Sequence, residues 1–306
     1  MTKITTETEV EILDSRDLGL VLAQQLLDVE DLHYGLWGDD LPLTVGNIPV
    51  AQQRYTDMLL AALPPLPGQV RILDIGCGTG HLMAQMLDKG YAVDGLIPSH
   101  SLANKVRGRP QIRASTSSRV YECRLEDLGN EAHGNRYDVA LFSESFQYIP
   151  IPAAFGQLQK LVKPGGLVII CDFFKTAANP EGTSGGNFGG GHPLESFYAQ
   201  LKDAPFVILR DQDITEQVSP GLQLVDDLLQ KRIAPACFTI GGYVKRRYPV
   251  LAWIIRKAFN AKLEKLRVKY LSGQRNKETF EKYKNYRFIT LKYQPVESMG
   301  SDSIDI

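Results

Sequence analysis

Glycines at 76, 78 and 80 directly follow the apolar run Ile72-Leu73-Asp74-Ile75, and this is the pattern in the chain that carries most chemistry. Glycine lets a strand end in a sharp turn and brings backbone N–H groups close to a ligand. A helix opening beyond Gly80 would add its own unpaired N–H groups. Asp74, a carboxylate inside an otherwise apolar strand, favours a ligand-binding turn, and Cys77 sits between the glycines. Such a turn suits a nucleotide-like ligand; a tight strand-to-helix turn with no ligand is the reading that the glycines alone leave open. A second candidate lies at Gly191-His192-Pro193, behind a glycine-rich stretch over residues 181–191. Proline favours the first helical turn, which would make His192 a cap residue. A glycine-hinged loop delivering one imidazole would equally serve a gated general base, so His192 is a candidate catalytic residue.

The elements that must position these groups follow from periodicity. Apolar runs over 70–75, 91–96, 120–123, 137–142, 167–174 and 206–210 alternate with amphipathic stretches over 81–87, 101–106, 153–162 and 194–201. Strand and helix in alternation predict an α/β fold, a doubly wound sheet. Residues 285–293 have the alternation of a closing strand, the seventh. Pro164-Gly165-Gly166 is expected to stop a helix at Val162 and turn the chain into the next strand. Residues 15–63 read as helical up to the breaker over 64–68, and 222–271 read as helical again. The expected division is a helical cap over 1–66, a core over 67–213 plus 285–293, a basic helical lid insertion over 214–284, and a flexible tail over 294–306.

Composition excludes several classes. With 43% hydrophobic and 23% charged residues, the chain is neither disordered nor collagen-like. Its apolar stretches are too short to span a bilayer. The first twenty residues are polar and acidic, unlike a secretory signal. The four cysteines, at 77, 123, 171 and 237, form no CxxC pair, so neither a disulfide scaffold nor a zinc ribbon is indicated, and a reduced, cytoplasmic protein is expected. The formal net charge of −1 conceals an asymmetry: residues 231–292 hold 17 Lys and Arg against 3 Asp and Glu. That segment is read as a lid packing on the acidic core, with a membrane-surface helix as the rival.

The peptide ILDIGCGTG over 72–80 resembles that of the class I S-adenosylmethionine-dependent methyltransferases. Tyr137 to Glu144 resembles their fourth strand, and Leu161 to Leu167 the approach to their fifth. The peptide Leu32-His33-Tyr34-Gly35-Leu36-Trp37, with Ala51-Gln52, is similar to the cofactor-capping segment of the small-molecule and lipid branch. The resemblance implies a Rossmann-like seven-stranded sheet with an N-terminal helical cap and a helical insertion before the last strand. It implies S-adenosyl-L-methionine as cofactor, with Tyr34, Asp74, Gly76, Cys77, Gly78, Leu125, Glu126 and Ser143 around it. An aromatic face beside a sulfonium is sound physics for Tyr34; packing of the cap is the alternative.

Two positions depart from the family. Ile97 stands where an acid at the end of strand two usually takes the ribose hydroxyls, and Asp94, three residues earlier, points to the other face. Ser99, His100 or backbone groups are expected to hold the ribose instead. After strand four, where many relatives carry histidine, the chain reads Ser145-Phe146-Gln147-Tyr148-Ile149, which makes Tyr148 a second catalytic candidate. No metal-ligand spacing is present and no metal is expected. The expected reaction is in-line methyl transfer to a small-molecule or lipid-like acceptor, anionic or amphiphilic in character, with peripheral membrane contact as a possibility. Two alternatives stand beside it: other chemistry consuming the same cofactor and releasing methylthioadenosine, and a noncatalytic cofactor-binding module. Nucleic acid is not the expected acceptor, since no base-flipping or RNP-type peptide occurs.

Overall fold

A computed structural model describes residues 24, 29–31, 33–66, 68–130, 132, 134, 136–178, 189–250, 253, 254, 257 and 276–295. Its centre is one seven-stranded sheet in the order β3-β2-β1-β4-β5-β7-β6. The strands are β1 (Arg71–Ile75), β2 (Ala92–Leu96), β3 (Val120–Tyr121), β4 (Tyr137–Ser143), β5 (Val162–Lys175), β6 (Phe206–Asp213) and β7 (Lys284–Tyr293). All pairings are parallel except those of β7, which runs antiparallel to β5 and β6.

The central strands are buried on both faces, as parallel strands under two helical layers must be. Ile72, Val139, Leu141 and Ile169 face one apolar cluster, whereas Leu73, Ile75, Ala140, Phe142, Val168 and Ile170 face the other. Helix α1 (Ile48–Ala61), α2 (His81–Asp88), α3 (His100–Gly108) and the short α4 (Pro110–Ala114) pack Tyr55, Leu59, Met83, Met86, Ala103, Val106 and Ile112 against the first cluster. Helix α5 (Ile151–Leu161) and α6 (Leu194–Lys202) pack Ala154, Phe155, Leu158 and Phe197 against the second. Between β6 and β7 come α7 (Thr215–Leu228), a π-helical turn (Leu229–Ile233), α8 (Ala234–Arg247) and α9 (Lys277–Tyr283).

Several expected boundaries move. Of the stretch read as helical from residue 15, Gln24 is helical, residues 29–31 and 33–44 are irregular, and helix returns in a 3-10 turn (Val45–Asn47) and α1. Gly35, at φ +77, and the tight approach of its backbone to Ala51 explain why: the segment lies flat across α1 instead of coiling. The helix before Pro164 ends at Leu161, and Val162 already pairs with Tyr137. Pro164-Gly165-Gly166 therefore forms a bulge within β5, before the pairing resumes at Val139 and Leu167. A Cβ on Gly166 would meet the Asp138 carbonyl at 2.9 Å, so the bulge requires glycine there. Strand β6 runs on to Asp213, so the acids at 211 and 213 belong to the strand. Pro220 falls inside α7, where it leaves the carbonyl of Glu216 without its amide partner, and the neighbouring Ser219 Oγ donates to Glu281 Oε1 at 2.5 Å. Leu32, most of the glycine-rich stretch (181–188), the apolar stripe at 251, 255, 258, 259, 263, 266 and 270, and the tail from 296 lie outside the described residues.

Candidate active site

The strand order reverses between β1 and β4, and in such sheets a crevice opens beyond the carboxyl ends of those two strands. The loops leaving them are Gly76–Gly80 and Glu144–Ile149. Gly76 has φ +79, and a Cβ there would collide with Ser145, whose hydroxyl donates to the Ile75 carbonyl. The two loops are thereby locked together at their roots. Gly78 has φ +56 but open space where a Cβ would stand. The turn is tight at its base and open at its crest, the shape that lets a ligand touch the backbone. The N–H groups of Gly76 and Cys77 both reach the Leu96 carbonyl, at 2.7 and 3.2 Å, and so pin the turn to β2.

Asp74, at the centre of β1, is buried, and its Oδ2 has no hydrogen-bond partner. Burial, and then the charge of Asp31, push its pKa up to about 7. An unpaired buried carboxylate costs several kcal/mol unless something cationic meets it. The residues from Glu30 to Trp37 run over this region and are tied down on three sides. Asp31 accepts from Thr79 Oγ1 and His81 Nδ1, each at 2.9 Å. Gln52 of α1 donates to the carbonyls of Asp31 and His33. Trp37 N–H reaches the Gln217 carbonyl in α7 at 2.8 Å. Burial alone would raise Asp31, yet the His81 hydrogen bond, with His33 and Thr79, holds it below its ordinary value. His33 stacks on Tyr55 at 4.2 Å, is lowered to about 4 by burial, and leaves Nδ1 unpartnered.

Beyond β4 lies a buried polar chain. The Tyr286 hydroxyl donates to Glu144 Oε1 at 2.8 Å and lies 3.1 Å from the Tyr55 hydroxyl, which is 3.2 Å from Ser143 Oγ. Glu144 is the one non-glycine among the described residues with positive φ, at 53°. Such strain concentrates at functional positions. Burial and then Asp172 raise its pKa to about 8. Asp172 accepts from the Gln147 N–H at 2.9 Å and the Phe173 N–H at 2.8 Å, and burial raises it to about 7. Lys284 has no exposed surface; burial, then Lys175, lower it to about 8, and its Nζ donates to the Gly190 carbonyl at 2.6 Å.

The expected site residues are distributed as follows. Asp74, Gly76, Cys77, Gly78 and Ser143 gather at the switch point. The backbone of Tyr34 meets Glu144, while its ring tilts against Phe280 at 6.5 Å. Ser99 caps α3, accepting from Leu102 N–H at 3.3 Å. His100 is exposed and pairs with Glu122 at 2.6 Å. Leu125 is buried in a 3-10 turn that also holds Glu126, which is half-buried. His192 Nε2 contacts the carbonyls of Ile149 at 2.8 Å and Phe146 at 3.2 Å. Tyr148 is 72% exposed. Ile97 is buried at the end of β2, and Asp94 is consumed elsewhere: it accepts from Arg71, from the Arg119 N–H and from the Tyr137 hydroxyl. Among the described residues no three His, Cys, Asp or Glu side chains converge as metal ligands.

Sequence reasoning overlooked Asp31, Thr79, His81, Tyr55, Asp172, Tyr286 and Lys284. Asp172 did carry a signal, the one that marked Asp74: an acid inside an otherwise apolar strand. The others come together only through the crossing of the 30–37 segment and the antiparallel placement of β7.

Residues 50–202 match the model of the methyltransferase domain family. Among curated proteins, a ubiquinone biosynthesis O-methyltransferase of Neisseria meningitidis is 37% identical over 109 residues, which are 35% of this chain and 43% of that protein. The chain thus spans less than half the length of that relative. Among solved structures, the cyclase SpnF superposes with a TM-score of 0.63 at 21% identity, over 93% of this chain and 98% of that one. The geranyl diphosphate C-methyltransferase of Streptomyces coelicolor A3(2), solved with S-adenosyl-L-homocysteine, superposes at 0.62 with 16% identity, over 88% and 92%. These structural likenesses establish the fold. Together with the matched domain, the glycine turn and the strand order, they place this chain in the methyltransferase domain family, among the class I S-adenosylmethionine-dependent methyltransferases.

Proposed function

We propose that this chain transfers a methyl group from S-adenosyl-L-methionine to an oxygen of a small amphiphilic acceptor. Asp74 carries the reading: a buried carboxylate with an unpartnered oxygen, under a glycine turn that is open at Gly78. The ammonium of the cofactor's methionine moiety is the cation such a carboxylate lacks. Gly78 would hold the same moiety through the backbone at the open crest, on a turn that Gly76 and Cys77 fix through their bonds to Leu96; Tyr34 caps it; Leu125 and Glu126 border the adenine; Ser99 serves the ribose in place of the acid that Ile97 replaces. The oxygen acceptor is supported by the curated relative, a ubiquinone biosynthesis O-methyltransferase.

Bound S-adenosyl-L-methionine supplies an electrophilic methyl group on a sulfonium. The chain's own share is alignment, exclusion of water and one proton. The segment over 30–37, clamped by Asp31, Gln52 and Trp37, excludes water from the glycine turn. Ser143, Tyr55, Tyr286 and Glu144 form a rigid polar floor. His192, with Nε2–H directed at two carbonyls, keeps a lone pair on Nδ1 to take the acceptor hydroxyl's proton. Tyr148, exposed on the neighbouring turn, guides the acceptor at the rim. No helix among the described residues is long and apolar enough to cross a membrane. No disulfide joins the four cysteines, which supports a reducing, cytoplasmic setting.

The test is incubation with S-adenosyl-L-methionine and a panel of amphiphilic phenols, read by mass spectrometry. S-adenosylhomocysteine formed together with a methylated phenol is the expected result. Methylthioadenosine without methylated product, or tight cofactor binding with no turnover across the panel, would overturn it. Replacing His192 with Gln should slow turnover and leave cofactor affinity unchanged; unchanged turnover removes the base role.

A further inference from the structure

Within the basic insertion, α9 packs Phe280 into the core, whereas α8 stands away from it. Helix α7 buries Val218, Ser219, Gly221, Leu222 and Asp226 against the body of the protein. The π-helical turn over Leu229–Ile233 then leads, with helical backbone angles at both of its ends, directly into α8. On α8 only Ala234 is buried. This helix is a continuation of α7 that leaves the core, about 20 Å long at 1.5 Å per residue. Along it, Cys237, Ile240, Tyr243 and Val244 recur at helical spacing as an apolar stripe. Phe238, Ile240 and Tyr243 are each more than 60% exposed, and beyond the helix so are Val250 and Trp253. Lys245, Arg246 and Arg247 form its last turn. The cations lie against aromatic faces, Arg247 over Tyr248 at 5.9 Å and Lys257 over Trp253 at 5.0 Å.

The geometry points to a docking surface for an anionic phospholipid bilayer, formed by α8 with Tyr248, Val250, Trp253 and Lys257. Aromatic rings, branched aliphatics and arginine or lysine together on one exposed helix are what the interface between lipid headgroups and acyl chains accommodates. The charge matches the partner, since residues 231–292 carry 17 basic against 3 acidic side chains and the remainder of the chain is acidic. A second copy of the chain is a poorer occupant. Two-fold packing of α8 would set Lys245–Arg247 beside its own copy if parallel, or near Lys231 and Arg232 if antiparallel, like charge on like either way. The surface is independent of which acceptor the active site takes, although it would bring the crevice to a membrane where amphiphilic acceptors dissolve.

The two tryptophans make the test clean. Trp37 is buried and donates through Nε1 to the Tyr34 carbonyl, whereas Trp253 is 61% exposed. The full chain is mixed at low salt with vesicles of equal parts phosphatidylcholine and phosphatidylglycerol, and followed by pelleting and by tryptophan emission. Co-pelleting and a blue shift are expected, the shift being lost in Trp253→Phe. Combined Lys245→Glu, Arg246→Glu and Arg247→Glu should weaken partitioning roughly 100-fold, at about tenfold or less per basic residue near the surface. These positions are exposed, and an unchanged melting temperature confirms that the variant folds. No pelleting on the anionic vesicles would overturn the proposal, as would equal binding to pure phosphatidylcholine. A blue shift that tracks protein concentration without vesicles, with a doubled mass in light scattering, would assign the face to a second copy.

Discussion

Replacement of Asp74 by Asn separates what the carboxylate does for the cofactor from what it costs the fold. In the free protein, burial and the Asp31 charge hold Asp74 near pH 7 instead of 3.8. A raised carboxyl pKa contributes stability that is complete below the unfolded-state value and is lost as pH rises through the folded-state value. At about 1.4 kcal/mol per pH unit, the loss between about pH 4 and about pH 8 is at most about 4 kcal/mol. An amide in the same place removes that loss but leaves its own polar group unpaired, worth about 1 to 3 kcal/mol. Ligand-free Asp74→Asn is therefore expected to be about 2 kcal/mol more stable than the natural protein near pH 8.5, with the gap closing towards about pH 4. Cofactor binding should move the other way. A charge-assisted hydrogen bond contributes about 1.5 to 3 kcal/mol, so affinity for S-adenosylhomocysteine should fall roughly tenfold to a hundredfold. Calorimetric titration across neutrality adds a second reading: natural affinity should rise as Asp74 ionises, and the variant should show no such rise. Equal affinities, or parallel pH profiles, would show that Asp74 does not meet the ammonium.

Three further outcomes follow from the same geometry. Gly76→Ala should be strongly destabilising, by about 2 kcal/mol or more, because left-handed strain adds to the collision with Ser145; Gly78→Ala should cost only about 1 kcal/mol of stability yet block cofactor binding, since its methyl enters the open crest, and thermal melts with calorimetry distinguish the two. Asp94→Ala removes the buried partner of Arg71, Arg119 N–H and Tyr137, and should lower unfolding free energy by about 3 to 5 kcal/mol in urea titration; the surviving folded fraction should bind cofactor normally, which a ribose-binding Asp94 would not allow. The ligand-free chain should be more resistant to urea near pH 5.5 than near pH 8.5, because Asp74, Glu144 and Asp172 all have raised values, at about 7, 8 and 7, and each loses stability as pH rises through them.

The sheet was legible because its signals are local. Runs such as 137–142 are apolar at every position, as doubly covered parallel strands must be, and the glycines mark the turn by their backbone needs. The helical reading of residues 33–44 failed where local signals stop: they carry apolar side chains at helix-like spacing, but their structure is set by Gly35 and by contacts with α1 and α7, far away in sequence. The bulge at Pro164-Gly165-Gly166 was misread for a related reason. Proline and glycine announce a break in helix, yet whether the residue before them pairs with β4 depends on register, which no local window contains.

The site divides along the same line, and the division has a physical cause. Asp74, Gly76 and Gly78 are set by one strand and its turn, so spacing alone locates them. The groups that close the site are assembled from remote segments: Asp31 against Thr79 and His81, Tyr55 against Tyr286, Lys284 against Gly190. Each is a polar contact buried between elements that meet only in the folded chain. Their net stabilisation is small, because burying them costs nearly what their hydrogen bonds return. What they add is uniqueness of arrangement: the segment over 30–37 has one place where Asp31 finds both its donors and Gln52 finds both its carbonyls. An enzyme whose main task is to hold two reactants in line and dry needs that uniqueness more than stability. It follows that Asp31→Ala should slow turnover at saturating cofactor even in the folded fraction, beyond the about 1 to 3 kcal/mol of stability lost when the Thr79 and His81 donors are left unpaired. A loss of stability with normal turnover in the folded fraction would place Asp31 among the merely structural contacts.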